Sequence, residues 1–451
     1  MSERSRTSLL ERLNAGAPRY GKVEHLESIE FGQGARIERY RFENGLELLY
    51  LPDHSAPVLA YHTWFRVGSR HERPGKTGLA HLFEHLMFNE VEGLPPGGFD
   101  RKMEAAGADN NASTWLDFTQ YQEAFPKGQL ALVAGLEARR MNTLVLQQPQ
   151  LDSEKEVVMN ERRMRVEDDV EGAVDELLWK TAFDVHPYRW PTIGWMSDIE
   201  GFTTGDCLDF YRTYYAPNNA CLVVVGDVTE SKLLTTIAGA YGEIPPSTLP
   251  IEDIHPEPRQ QGERRVEVEK PTPTEKLLIG YRGPALGDPD HLLVSLLMEV
   301  LCGGRASRLH KRLVRELSLA SDLRASVGPH RDPSLIDIFV SAREGHRAEE
   351  LLAIVDEELE RLVREPVGRE EIERATARAE LGLLSGLETA DGKASTIGFY
   401  ETVLRRPAAP FERLRAMRWV EPGDLWRAAR RYLRSEERTL VLVRPQAEVA
   451  A

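Results

Sequence analysis

Two histidines stand four residues apart in His81-Leu82-Phe83-Glu84-His85, with a carboxylate directly before the second. On a helix, such residues lie one turn apart on one face, so two imidazole nitrogens would meet at a common point. A tetrahedral zinc ion asks that of a pair of nitrogen ligands. Glu84 projects between them in angle, within reach of a water on such an ion. The order H-x-x-E-H is a zinc-hydrolase signature. A third ligand is expected from a second helix start, Leu151 to Met164. Asp152 or Ser153 is placed to cap it, acidic residues fill its first turn, and Val157, Val158 and Met164 suggest an apolar face. Glu154 and Glu161 are two turns apart and share a face. Alone they would read as a solvated acidic face. Beside the histidine pair they read as metal-site carboxylates.

The chain at this point resembles a family: the inverted-motif zinc peptidases that include pitrilysin, insulin-degrading enzyme and mitochondrial processing peptidase. Their motif is followed by a glutamate ligand at the spacing that separates His85 from Glu161, 76 residues. A further family glutamate, seven positions earlier, is matched by Glu154. Asn110-Asn111-Ala112-Ser113-Thr114, with Asp117, Thr119 and Tyr121, looks like the family strand N-A-x-T-x-x-D-x-T-x-Y. Tyr215-Ala216-Pro217-Asn218-Asn219, Val223 to Asp227, and Gly303 to Leu309 resemble further family motifs, in the family's order.

The resemblance implies one zinc ion per chain, held by His81, His85 and Glu161 with a fourth position left for water. It implies Glu84 as general base and Glu154 orienting a ligand or the water. Asn111 and Ala112 would begin a cleft strand that pairs with an extended peptide substrate. A plain turn role for Asn110-Asn111 is the competing reading. One departure matters. The family's second domain supplies an Arg and, seven residues on, a Tyr that bind substrate and stabilise the oxyanion. Arg315 fits the first position, but residue 322 is Asp, and no tyrosine lies between 282 and 399. A homologous subunit lacking the zinc motif is therefore expected to supply the pair, as a heterodimer, with a homodimer as the alternative. The rival to a peptidase is a non-catalytic scaffold subunit. Such relatives lose a ligand or the base, whereas all four positions are intact here.

At 451 residues the chain exceeds what one core usually supports. Cys207, Cys221 and Cys302 form no C-x-x-C pair, so buried reduced thiols are expected rather than a disulfide framework. A net charge of −15 argues against nucleic acid. No apolar run is long enough to span a membrane, and the polar start lacks a secretory signal, so a cytoplasmic location is expected, with the periplasm left open. His71, His186 and His291 read as structural, and Trp115, Trp190 and Trp195 as core.

The supporting elements can be read from pattern. Ile37 to Phe42 and Leu46 to Leu51 flank Asn44-Gly45, a hairpin signal. Val58 to Val67 and Ala112 to Ala124 read as strands, Leu79 to Phe88 as a buried helix, and 127 to 145 and 152 to 182 as helices. A helix near 205 to 214 precedes the strand Cys221 to Val225. A Pro- and Glu-rich stretch then marks a boundary. Beyond it come strands at 264–269, 276–281, 335–341 and 439–443, and helices at 290–301, 346–364, 368–389 and 410–433. The predicted fold is α+β: two homologous domains, each a mostly antiparallel sheet with helices on one face. The domains are 1–245, zinc-bearing, and 263–451, without a metal site, joined by a linker at 246–262. Where the first half has its motif, the second offers only His291-Leu292-Leu293-Val294-Ser295.

Overall fold

The computed structural model describes residues 3 to 446. Its fold is α+β, built on two sheets. The first has seven strands: β1 (Val23–Phe31), β2 (Ala35–Phe42), β3 (Glu47–Pro52), β4 (Val58–Phe65), β5 (Asp109–Thr114), β6 (Thr119–Pro126) and β7 (Ala220–Gly226), ordered β1-β2-β3-β7-β4-β6-β5. The second has five: β8 (Arg264–Lys270), β9 (Lys276–Arg282), β10 (Ala320–Val327), β11 (Leu335–Ala342) and β12 (Arg438–Pro445), ordered β10-β11-β9-β12-β8. Every pairing is antiparallel except β3 with β7 and β8 with β12. Strands β3 to β7 and strands β8 to β12 thus run through the same order, with the first and last of each set paired in parallel. The duplication is one of topology. Few residues carry it.

Five helices bear on the site and on the packing of the sheets: α1 (Leu79–Leu86), α2 (Gln148–Arg162), α3 (Val170–Ala182), α4 (Pro289–Cys302) and α5 (Ala390–Leu404). α1 follows β4 as α4 follows β9, so His291 on α4 does occupy the place of the motif. The Asn44-Gly45 hairpin forms, with Gly45 at φ +85° and the buried Asn44 amide donating to the carbonyls of Tyr241 and Ile244.

The chain divides into two compact units that are not contiguous in sequence. One is Met1–Met159, Thr192–Asp253 and Leu384–Phe411; the other is Asn160–Pro191, Ile254–Leu383 and Glu412–Ala451. This differs from the contiguous division at 246–262, and packing explains it. Within the first unit, α5 lies on β4 and β7, covering a sheet face that would otherwise expose Trp64 and His62. His62 Nε2 meets Asp391 at 2.8 Å, and Arg39 makes a two-pronged pair with Glu401 at 2.9 and 2.6 Å. Within the second unit, α3 lies on β9 and β12 in the same manner, with Leu178 over Gly280. Each sheet takes a helix from the other half of the sequence.

Several boundaries depart from the pattern reading. Ala112 to Ala124 is not one strand but the hairpin of β5 and β6, turned by Trp115 to Phe118 and closed by Trp115 N–H donating to Phe118 O at 2.8 Å. The expected helix over 152–182 begins earlier, at Gln148, loosens into a π turn at Arg163–Glu167, and breaks. Asp169 then caps α3 by accepting from Gly172 N, where any Cβ would lie 1.9 Å from Arg165 O. α5 restarts after Thr389, whose hydroxyl accepts from Gly392 N at 2.9 Å. β1, β10 and the helix Glu3–Ala15 carry too weak a period to be read. Trp115 is 54% exposed, not core, and Val157 and Met164 face solvent while Val158 is buried.

A Cβ at residue 398 would lie 2.0 Å from Trp64 Nε1, far inside contact distance. Gly398→Ala is therefore expected to destabilise by about 1–3 kcal/mol through overpacking, outweighing the roughly 0.5–1 kcal/mol that alanine gains in a helix. Thermal unfolding reads this; an unchanged or raised midpoint would contradict the seating of α5.

Candidate metal centre

An eight-residue helix is too short to hold itself in water. α1 is held at its start and along one face. Leu79, Leu82, Phe83 and Leu86 recur at helical spacing and are buried in the first core. His81, Glu84 and His85 fall on the other face and are half-buried. At the N-terminus, Glu72 accepts from Gly78 N and Ala80 N, both at 2.8 Å, placing a carboxyl where the first helical amides point. Burial pushes that carboxyl well above its ordinary range, against the pull of the amide donors. Gly78 has φ +91°, and a Cβ there would lie 2.4 Å from Ile193 O. Facing it, a Cβ at Gly194 would lie 2.2 Å from Thr77 O. The two segments pass so closely that neither tolerates a side chain. Thr77 completes the clamp by donating to Asp198 through both its amide, at 3.1 Å, and its hydroxyl, at 2.7 Å.

On the helix so fixed, the imidazoles of His81 and His85 lie 4.9 Å apart between ring centres. Glu161 stands in the last turn of α2, two turns beyond Glu154 on the same continuous helix. One ligand atom from each of His81, His85 and Glu161 lies within 4.8 Å of the other two. Two imidazole nitrogens and one carboxylate oxygen form a donor set suited to zinc, and three protein ligands are the number that leaves a position for water. Among the described residues, no other set of three or more such groups comes together.

Glu154 lies beside this set. Its Oε1 accepts from Asn89 Nδ2 at 2.9 Å, and its Oε2 is 3.6 Å from His85 Nδ1, an ion-pair separation rather than a hydrogen bond. The His85 contact is the main influence holding its carboxyl below the ordinary range. Arg165, one turn beyond Glu161, places Nε 3.0 Å from Glu161 Oε1. Tyr121 and Tyr215 are buried near Glu84; burial raises both hydroxyls, and the Glu84 charge adds to the effect. Asn89 and Glu72 stand outside the set expected from the sequence pattern. Asn89 had a legible signal, since it follows His85 by one helical turn. Glu72, reaching in from a preceding loop, had none.

The remaining predicted residues separate into two groups. Asn111 and Ala112 lie on β5, which among the described residues pairs only with β6 and forms one edge of its sheet. Asn111 is exposed and its Oδ1 accepts from Ala112 N at 2.9 Å. Arg315 lies in the second unit, exposed on the π turn His310–Glu316, and is not part of the clustered set; Asp322 is exposed on β10. The three lone histidines are structural contacts. His71 Nδ1 accepts from Gly68 N, His186 Nδ1 accepts from Tyr188 N, and His291 Nε2 donates to Gly328 O. Cys207 and Cys221 are buried, and all three thiols are free.

The family model "Insulinase (Peptidase family M16)" matches residues 49–194, and "Peptidase M16 inactive domain" matches residues 201–378. A curated relative, the zinc protease PqqE of Helicobacter pylori, is 29% identical over 413 residues, covering 90% of this chain and 93% of its own. The crystal structure of a protease from Helicobacter pylori superposes with a TM-score of 0.85 at 28% identity, over 95% of this chain and 100% of that one. The periplasmic protease PqqL from Escherichia coli shares the fold, with a TM-score of 0.78 at 18% identity over 94% of this chain and 48% of that one. With both family models in sequence order along most of its length, the chain belongs to the insulinase family of peptidases, M16.

Proposed function

We propose that the chain is a zinc-dependent endopeptidase that hydrolyses peptides or unfolded segments. The convergence within 4.8 Å of His81 and His85, on the face of α1 that also carries Glu84, with Glu161 of α2 supports this most directly. His81, His85 and Glu161 would hold the ion. Once bound, zinc supplies Lewis acidity, polarising the scissile carbonyl and bringing the pKa of water toward neutrality. Glu84 takes the water proton at its carboxylate and returns it to the leaving amine. Glu154, 3.6 Å from His85 Nδ1, stands where it would help orient that ring for the ion. The edge of β5 at Asn111 and Ala112 holds an extended peptide by main-chain hydrogen bonds, with Asn111 Oδ1 giving up the Ala112 N–H to it. No Arg/Tyr pair at the family spacing is available to the oxyanion, and Arg315 stands without its tyrosine. A homologous subunit lacking the zinc motif supplies that pair, so the working enzyme is a heterodimer. The cytoplasm is its expected compartment, and no described helix is long and apolar enough to cross a membrane.

The description of the second half's family model as an inactive domain favours one other reading, a scaffold subunit without turnover. Glu84→Gln separates the two. It is expected to bind zinc like the wild type and to cut a mixed peptide pool at least about a hundredfold more slowly; equal hydrolysis by both would refute the role of Glu84. Glu161→Gln is expected to copurify without stoichiometric zinc, by elemental analysis, and chelation followed by zinc return should abolish and restore activity. Glu154→Gln should weaken zinc about 10–100-fold while leaving the fold intact. Adding the homologous subunit should raise turnover sharply; full activity of the lone chain would remove the need for a partner.

A further inference from the structure

β5 alternates. Asp109 and Asn111 are exposed and Ser113 is half-buried on one face, while Ala112 on the other packs against the first core. The exposed face is polar for three successive positions and then ends in Trp115, whose residue is 54% exposed. A lone surface aromatic is ordinarily without meaning. This one differs in how it is held. Trp115 N–H donates to Phe118 O at 2.8 Å, Ser69 N–H donates to Trp115 O at 3.1 Å, and Arg70 N–H donates to Leu116 O at 2.9 Å. Gly68 passes so near that a Cβ there would lie 2.3 Å from Trp115 O. Phe118 anchors the turn from behind, 4.9 Å from the ring of Trp64 and 5.9 Å from that of Phe399. The backbone is fixed while the indole is left to solvent. With the backbone already held, only the side-chain torsions of the indole remain to be ordered when something packs on it.

We propose that Trp115 is a specificity subsite, receiving a large apolar or aromatic side chain of a peptide laid along the open edge of β5. This rests on the reading of the chain as a peptidase. At about 3.3 Å per residue, the substrate side chain over Trp115 would sit roughly 10 Å along the strand from the one beside Ala112. Asp109, Asn111 and Ser113 offer nothing to an apolar group, so the preference should be confined to one substrate position.

The test is a positional series of otherwise identical peptides, with Phe or Ala at each site in turn, cut by the wild type, Trp115→Ala and Trp115→Phe. The wild type should favour Phe at one position by about tenfold in kcat/KM, in line with burying one apolar side chain on a protein surface. Trp115→Ala should flatten that one position to within about twofold, leave the others unchanged, and keep the thermal midpoint. Trp115→Phe should retain most of the preference. Cleavage with an unaltered profile in Trp115→Ala would overturn the subsite alone. Absence of cleavage by the wild type, both alone and with its homologous subunit added, would overturn the peptidase reading and the subsite with it.

Discussion

Everything at the centre depends on the anchoring of an eight-residue helix that cannot be stable by itself. Nucleation costs more than two turns of hydrogen bonds return. α1 is stabilised instead by its buried Leu79-Leu82-Phe83-Leu86 stripe and by the clamp at its first turn. Glu72 occupies the orphan amides, and Gly78 and Gly194 let Ile193 and Thr77 pass within contact distance. Once those constraints are met, the directions of His81, Glu84 and His85 follow from the helical period. A small rotation of α1 would carry both imidazoles away from Glu161.

The two halves share a strand order yet differ at the point where chemistry could occur. On α4, the histidine that stands in the motif's place is used as a packing group. Arg413 donates to His291 Nδ1 at 2.9 Å, and His291 Nε2 donates to Gly328 O at 3.2 Å. Burial lowers its pKa to about 4, so the ring stays neutral with both nitrogens occupied. No nitrogen is left for a metal, and no second histidine follows one turn later. Among the described residues the duplicated scaffold thus clusters metal-ligating groups in one half alone, and in the other half the equivalent helix serves the core.

Much of the site was legible because it obeys helical spacing. His81, Glu84 and His85 on one turn, and Glu154 with Glu161 two turns apart, are periodic facts that a short buried helix and a long one both preserve. The pairing of those two helices was not readable from period. It came from the likeness of the spacing to a known family. Asn89 was readable in principle, as the residue one turn beyond His85. Glu72 was not, since a loop residue reaching to a helix start leaves no pattern. At the level of the fold, hydrophobic runs revealed the central strands β4, β7, β9 and β12. The edge strands β1 and β10 escaped because close to half their residues face solvent, among them the charged Glu24, Glu27 and Glu30 of β1 and Asp322 and Arg324 of β10. The break after α2 brings Gly172 past Arg165 O, an approach that the helical period of the apolar residues does not record. The exchange of α3 and α5 between the halves follows from which sheet faces needed covering, and no local signal records that.

If three side chains from two helices share one cation and leave a position open, the metal's own coordination shell must say so. Zinc K-edge X-ray absorption on the chain loaded with a single equivalent of zinc reads that shell. It should contain nitrogen and oxygen only, close to four-coordinate, with the multiple-scattering signature of two imidazoles, one of which is lost in His85→Ala. Sulfur in the shell, or an all-oxygen six-coordinate ion unchanged by that substitution, would contradict it.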